Sequence, residues 1–239
     1  MEKSKKIKIT LGLFYIIIVS TFLYFFFTKF TLEELTSYDF IKNNRDYFIQ
    51  FKQANLFLTS LIFLLFTIFW VIMAGFGLPI GLLAGFIFGK WFGVLILVIG
   101  MSIGASILYI IGKFFFLDFI KEKFLIKYKN LEIKFKQSEF IYLLIYRFVG
   151  GIPFAISNVL PCIFNVKVSN FFWATLIGIL PQLFLVVSIG SGFEKIVDEN
   201  LETPKLLDII YSPDIYIPLI AFIGLVLITL IARKIFYKN

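Results

Sequence analysis

The sequence predicts an all-α, polytopic transmembrane protein with two re-entrant helical hairpins arranged as an inverted repeat. Three observations carry that prediction. The chain of 239 residues is 60% hydrophobic and 20% aromatic, with 33 Phe and only 16% charged residues. Charge-free runs at 9–28, 53–89, 91–112, 148–166, 168–193 and 215–232 mostly reach the roughly 20 residues that a helix needs to cross a hydrocarbon core. Within and just beyond the second run, a glycine recurs at every fourth position from Gly77 to Gly93. No polar stretch is long enough to form a separate soluble domain, so the chain divides into an N-terminal helix with an interfacial segment (1–55), a membrane core (56–193) and an external loop with a last helix (194–239).

Lys3, Lys5, Lys6 and Lys8 precede the first apolar run. A basic start imitates a signal peptide, but Tyr24-Phe25-Phe26-Phe27 stands where a small-residue cleavage site belongs, which predicts a retained helix. Residues 31–55 mix charges with aromatics at helical spacing and predict an amphipathic helix at the interface. A second span is expected over about 56–74.

The glycine ladder comes next: Gly77, Gly81, Gly85, Gly89 and Gly93. Missing side chains let another backbone or a lipid head group approach closely. A step of four overshoots the 3.6-residue turn by about 40°, so on one straight helix five such glycines spiral away from a single face. A broken helix, or a short hairpin that folds back, fits better, and Pro79 and Lys90 near its two ends agree. This is the first re-entrant element, and a span bearing Gly100, Gly104 and Gly112 follows it to about Phe116.

Residues 117–139 carry six lysines against four acids, which fits a solvated cytoplasmic loop or a helix lying on the membrane surface. From Phe140 the chain is apolar but irregular. Arg147, Gly150, Gly151, Pro153, Asn158 and Pro161 make a poor continuous helix. Non-helical backbone at membrane depth is tolerated only under a cover of protein or a watery cavity, which makes this the second re-entrant element. Spans at about 170–192, with Gly178 and Pro181, and at 215–236 complete the chain.

Charge orients the second half. The 117–139 segment and the Arg233-Lys234 end are basic, whereas 193–214 carries six acids and two lysines. The basic side faces the cytoplasm, which puts the C-terminus inside a bacterial cell membrane; richness in Phe, Ile, Lys and Asn points to an AT-rich, bacterial genome. The first half does not close in the same way. A cytoplasmic N-terminus and a cytoplasmic 117–139 segment need an even number of crossings, but three spans plus a hairpin give an odd one. A faint repeat links the halves: Pro79 and Pro153 are 74 apart, as are the Ile-Gly pairs at 103–104 and 177–178, and Ile87-Phe88-Gly89 precedes Ile163-Phe164-Asn165 by 76. Duplicated re-entrant units of opposite orientation are a recurrent transporter design.

Composition also excludes chemistry. There is no histidine and only one cysteine, Cys162, which removes the common zinc sites, internal disulfides and histidine-activated nucleophiles. No cofactor, no metal and no catalytic constellation is expected. The net charge of +8 lies at membrane edges, which suits anionic lipid and not nucleic acid.

Arg147 stands out among the polar residues. An arginine within an apolar segment costs roughly 2.5–3.5 kcal/mol on insertion scales, so it either snorkels to an interface or is paired in a cavity. Its planar fork suits phosphate. Asn158 and Gln182 fit interhelical hydrogen-bond glue or a polar path. Breaks at Gly150-Gly151, Pro153 and Pro161 leave backbone N–H groups free, and half-helix N-termini attract anions. Around Arg147, the residues Gly151, Pro153, Phe154, Asn158 and Gln182 therefore form a candidate phosphate site. Pro79, Gly81, Gly85, Gly89, Gly93, Gly104, Gly178 and Pro181 are expected to shape the backbone. Lys90 and Lys113 fit interface anchors, and Asp118, Glu139 and Glu194 fit solvated or capping positions at span ends.

The stretch Leu78-Pro79, Ala84-Gly85, Phe88-Gly89, Gly93, Gly100, Gly104, Tyr109 and Gly112-Lys113 resembles the first half of the DedA superfamily, the VTT-domain membrane proteins also called SNARE-associated Golgi proteins. Arg147, Pro153-Phe154, Asn158, Phe171, Thr175, Gly178 and Pro181 resemble its second half, so the likeness covers about 75–193. The chain departs from the family pattern at Gly150, Cys162 and Lys113, and lacks the first-half acids of some bacterial members. The resemblance implies two re-entrant hairpins facing each other and movement of phospholipid or polyprenyl-phosphate lipid between leaflets. A secondary transporter of a small soluble anion and a non-transporting, oligomer-forming membrane organiser are the competing classes.

Overall fold

The computed structural model describes residues 2–120, 136–149 and 152–198, together with 211, 213, 216, 217, 220, 223 and 224. Among these, every regular element is helical and none is a strand. Most of the expected span at 215–236 and of the 117–139 and 193–214 segments lies outside the described residues.

Helix α1 (Glu2–Lys29) contains the 23-residue apolar stretch Ile7–Lys29, about 35 Å long and enough to cross a bilayer. Leu13, Phe14, Ile17 and Phe25 project from it uncovered, as they do on a helix bathed in lipid. The segment expected as one interfacial helix is instead three short ones: α2 (Leu32–Leu35), α3 (Tyr38–Asn43) and α4 (Arg45–Ala54). The cause is local capping. The Glu34 N–H donates to Thr31 Oγ1 at 3.1 Å, the Thr31 N–H donates to Glu34 Oε2 at 2.9 Å, and the Phe40 N–H donates to Ser37 Oγ at 3.1 Å. Such side chains offer the backbone an end at each position. The Thr31 amide and hydroxyl also hold the Glu34 carboxyl below its ordinary pKa.

Helix α5 (Leu56–Ile72) starts under a cap from Asn55, whose side chain accepts from the Leu58 N–H at 2.9 Å. Its 17 residues reach only about 25 Å, so the full span expected at 56–74 falls short of a roughly 30 Å core. The chain turns at Ala74 (φ +57°), where Trp70 closes the turn by donating from Nε1 to the Phe76 carbonyl at 2.8 Å. Helix α6 (Gly77–Phe88) then runs 12 residues to Gly89. Gly89 adopts φ +73°, a left-handed conformation that glycine takes without strain. Beyond it lies α7 (Lys90–Ile120), whose Lys90–Phe115 stretch is long and apolar enough to cross.

Directions follow from what the glycines touch. Gly100 abuts Thr67 and Gly104 abuts Val71, so α5 and α7 run parallel. Gly77 faces Met101, Gly81 faces Leu97 and Gly93 faces the Ala84 carbonyl, so α6 runs back antiparallel to α7. The expected glycine-rich break is therefore present, with its reversal at Gly89, and the ladder serves several partners instead of one.

The second half opens with shorter helices. Helix α8 (Glu139–Val149) is followed by α9 (Phe154–Val159) and a 3-10 turn (Leu160–Phe164). Asn165 turns the chain at φ +48° into α10 (Val168–Gly178) and α11 (Leu180–Asp198). The last two meet at a 45° bend, with Pro181 in the first turn of α11, where its missing N–H is tolerated. Glu139 reaches Lys167 and Arg147 reaches Thr175, so α8 and α10 run parallel. Gly89 and Asn165, both with positive φ, are 76 residues apart. Gly104 packs on Ile68 and Val71, and Gly178 on Leu144 and Arg147; the packed residues are 76 apart and the two glycines 74.

The halves dock through close backbone contact. Gly93 meets Val187 while the Tyr109 ring stacks on Phe171 at 4.6 Å, so α7 and the α10–α11 pair are antiparallel. A side chain on Gly85 would lie 2.0 Å from the Val187 carbonyl oxygen, and one on Gly190 would lie 2.1 Å from that of Leu82. Trp70, Phe86, Leu97, Tyr109, Leu143, Phe171 and Val187 are buried in one core around this seam.

Candidate functional site

Arg147 occupies the last turn of α8 and is only 3% exposed. Its approach to α10 depends on Gly178, where an added Cβ would stand 2.5 Å from Arg147 Cβ. The guanidinium donates from Nε to Thr175 Oγ1 at 3.0 Å, from one terminal nitrogen to Ser157 Oγ at 2.6 Å and from the other to Asn158 Oδ1 at 2.6 Å. Phe171, Phe154 and Tyr146 put their rings 4.9, 5.4 and 5.9 Å from its central carbon. Each ring offers a negative face to the cation.

Every described hydrogen-bond partner of this cation is neutral. A buried guanidinium keeps its charge, and no carboxylate among the described residues bonds to it to compensate that charge. Asn158 is fully buried, and its Nδ2 donor has no partner among the described residues. Two unmet demands thus lie together, a positive charge and a spare N–H donor, and both suit an anion. A cavity of about 100 Å³ opens beside them, lined by Tyr146, Arg147, Ile152, Phe154, Ser157, Ile179 and Gln182. Exposed Ile152, Pro153 and Ile156 stand on the same short segment.

The expected residues fall into distinct places. Arg147, Phe154, Asn158 and Gln182 come together, and Pro153 is the N-cap of α9. Gly151 lies outside the described residues. Gln182 uses its amide on the backbone, donating from Nε2 to the Arg147 and Phe148 carbonyls at 3.0 Å each. Those carbonyls belong to the unpaired end of α8. Ser157 and Thr175 complete the cage. Ser157 was not singled out from sequence, although it directly precedes Asn158, and Thr175 entered only through the family pattern. Lys90 stands over the Trp91 and Phe184 rings, and Lys113 over Tyr109, each about as far as cation–ring attraction reaches. Position 71, which is 76 before Arg147, holds Val71, so the cation is built into one half only. Among the described residues, no group of three or more His, Cys, Asp or Glu side chains gathers to hold a metal.

Short helices folded back against long apolar ones are the architecture of a multi-pass membrane protein. The family comparison agrees in class. Residues 76–192 match the VTT domain, and two helices of the chain are long and apolar enough to cross a membrane. It is 25% identical over 134 residues to the Transmembrane protein 41 homolog of Caenorhabditis elegans, covering 53% of this chain and 54% of that one. It is 28% identical over 116 residues to the uncharacterized protein YqeD of Bacillus subtilis strain 168, covering 48% and 56% respectively. The chain spans about half the length of the curated relatives it matches. No solved structure matches it.

Proposed function

We propose that this protein moves phosphate-bearing lipid, a phospholipid or a polyprenyl phosphate, between the leaflets of a bacterial cytoplasmic membrane. The observation that carries the reading is the buried Arg147 guanidinium, held by neutral groups beside a cavity of about 100 Å³. Such a site admits the phosphate alone, with the glycerol or prenyl part and the tails left outside. The exposed apolar rim of Ile152, Pro153 and Ile156 favours an opening toward lipid over the water-gated cavity of a carrier for soluble anions.

In this reading α5–α6 and α8–α9 are re-entrant hairpins from opposite faces, an inverted repeat, and α7 and α10–α11 cross between them. The crossing count then closes. With α1 and α7 as the crossings of the first half, the basic N-terminus and the basic 117–139 segment share the cytoplasmic side. The acidic 193–214 segment lies outside and the C-terminus returns inside. In the same reading Glu139 marks the cytoplasmic interface, and Arg147, eight residues and about 12 Å further along α8, lies near mid-membrane.

The test uses protein in sealed vesicles with fluorescent phospholipid in both leaflets and an impermeant quencher outside. Clearly more than the outer half of the signal is lost with wild type, and only the outer half with a folded, inserted Arg147→Ala variant. Equal loss in both proteins removes Arg147 from the pathway. Loss of only the outer half in both, with polyprenyl phosphate as well, removes lipid movement and favours the soluble-anion reading.

A further inference from the structure

Glu139 opens α8 and is only 9% exposed. A carboxylate in apolar surroundings is unfavourable unless donors meet it. Its Oε1 accepts from the Lys167 backbone N–H and from Asn170 Nδ2, the latter at 3.3 Å. Lys167 is the N-cap of α10 and supplies no side-chain cap of its own. A carboxylate 28 residues upstream therefore does that work, at the end of the helix where the dipole favours an anion.

The spacing gives the contact its consequence. Glu139 and Arg147 are eight residues apart on α8, and their partners Lys167 and Thr175 are eight apart on α10. A slip of one residue carries Arg147 about 1.5 Å along and 100° around the helix, away from Thr175. Apolar packing is non-directional and resists such a slip weakly, whereas a hydrogen-bonded carboxylate resists it sharply. The same end of the hairpin holds Cys162, fully buried, with its Sγ 3.4 Å from the Tyr109 carbonyl oxygen. The Tyr109 hydroxyl in turn donates to the Val166 carbonyl at 2.7 Å.

We propose that Glu139 is the positioning residue of the anion site, a clasp that fixes the second hairpin on α10 and so sets Arg147 opposite Thr175. The proposal rests on the reading that Arg147 serves lipid movement. Its test uses the only cysteine of the chain as a reporter. Full-length protein in vesicles is treated with a membrane-permeant maleimide, labelling of Cys162 is timed by mass, and lipid movement is measured in parallel. Glu139→Ala raises the labelling rate and lowers lipid movement by about tenfold or more, the share of an opening equilibrium that a charge-assisted hydrogen bond controls. Glu139→Gln, whose amide oxygen still accepts, keeps the thiol protected and lipid moving. Lys167→Pro removes the donor at φ −70°, a value proline adopts, and exposes the thiol with the carboxylate intact. That variant replaces Glu139→Ala if the latter fails to insert. Wild-type protection of Cys162 in both variants overturns the clasp, as does failure of Glu139→Gln to rescue. Normal lipid movement in Arg147→Ala overturns the functional reading while leaving the thiol result standing.

Discussion

Replacing Gly85 by alanine tests the seam between the halves. The added Cβ would lie 2.0 Å from the Val187 carbonyl oxygen and 2.7 Å from the Ser191 nitrogen. Both are backbone atoms, so no rotamer change relieves the clash, and α6 must move by about 1.4 Å to reach ordinary contact. Overpacking of this kind costs about 3 kcal/mol, which in a chain of this size lowers Tm by roughly 6–12 °C. Gly192→Ala is the matched control, because its Cβ meets nothing within 4 Å. In a helix the change from glycine to alanine gains about 0.5–1 kcal/mol, so that variant melts at or slightly above wild type. The assay is thermal unfolding of purified protein in detergent, followed by intrinsic Trp fluorescence. A Gly85→Ala variant that melts within about 1 °C of Gly192→Ala refutes the docking of α6 on α11 through its glycines.

Other perturbations probe the site. Asn158→Asp gives Arg147 an internal counter-ion in place of a neutral oxygen; the protein melts no lower than wild type, but lipid movement in vesicles falls by about tenfold or more. Gly178→Ala drives a methyl against Arg147 Cβ at 2.5 Å and slows lipid movement, whereas Gly192→Ala does not. Gln182→Leu strips the Arg147 and Phe148 carbonyls of their shared donor and destabilises by about 1–3 kcal/mol, read as a lower Tm in the same detergent assay.

Much of this architecture is legible in the chain because membrane constraints are coarse and strong. Charge-free length marks α1 and α7, and a four-residue glycine step cannot stay on one face, which signals the break at Gly89. Arg147 is conspicuous because a cation in an apolar run has few tolerable environments. What stays hidden depends on register between helices. Ser157 and Thr175 are ordinary residues until α8 and α10 lie parallel, and Gln182 fits interhelical glue and a polar path equally until its amide is seen on two carbonyls. Residues 56–74 look like a full span because hydropathy does not register the turn at Ala74, which Trp70 closes across six residues. The interfacial segment divides at Ser37, which caps the start of α3, and at Asn44, whose Nδ2 donates to the Phe40 carbonyl at its end; both local bonds compete with helical periodicity.

Contact between the Arg147 guanidinium and a lipid phosphate is the central claim, and magnetic resonance measures it directly. The chain has three arginines, Arg45, Arg147 and Arg233, so a protein with Arg45→Lys and Arg233→Lys carries one guanidinium to label with 15N. In phospholipid vesicles under conditions of active lipid movement, the account predicts a dipolar contact between that nitrogen and lipid 31P, lost in the Asn158→Asp variant. Brisk lipid movement with no such contact contradicts it.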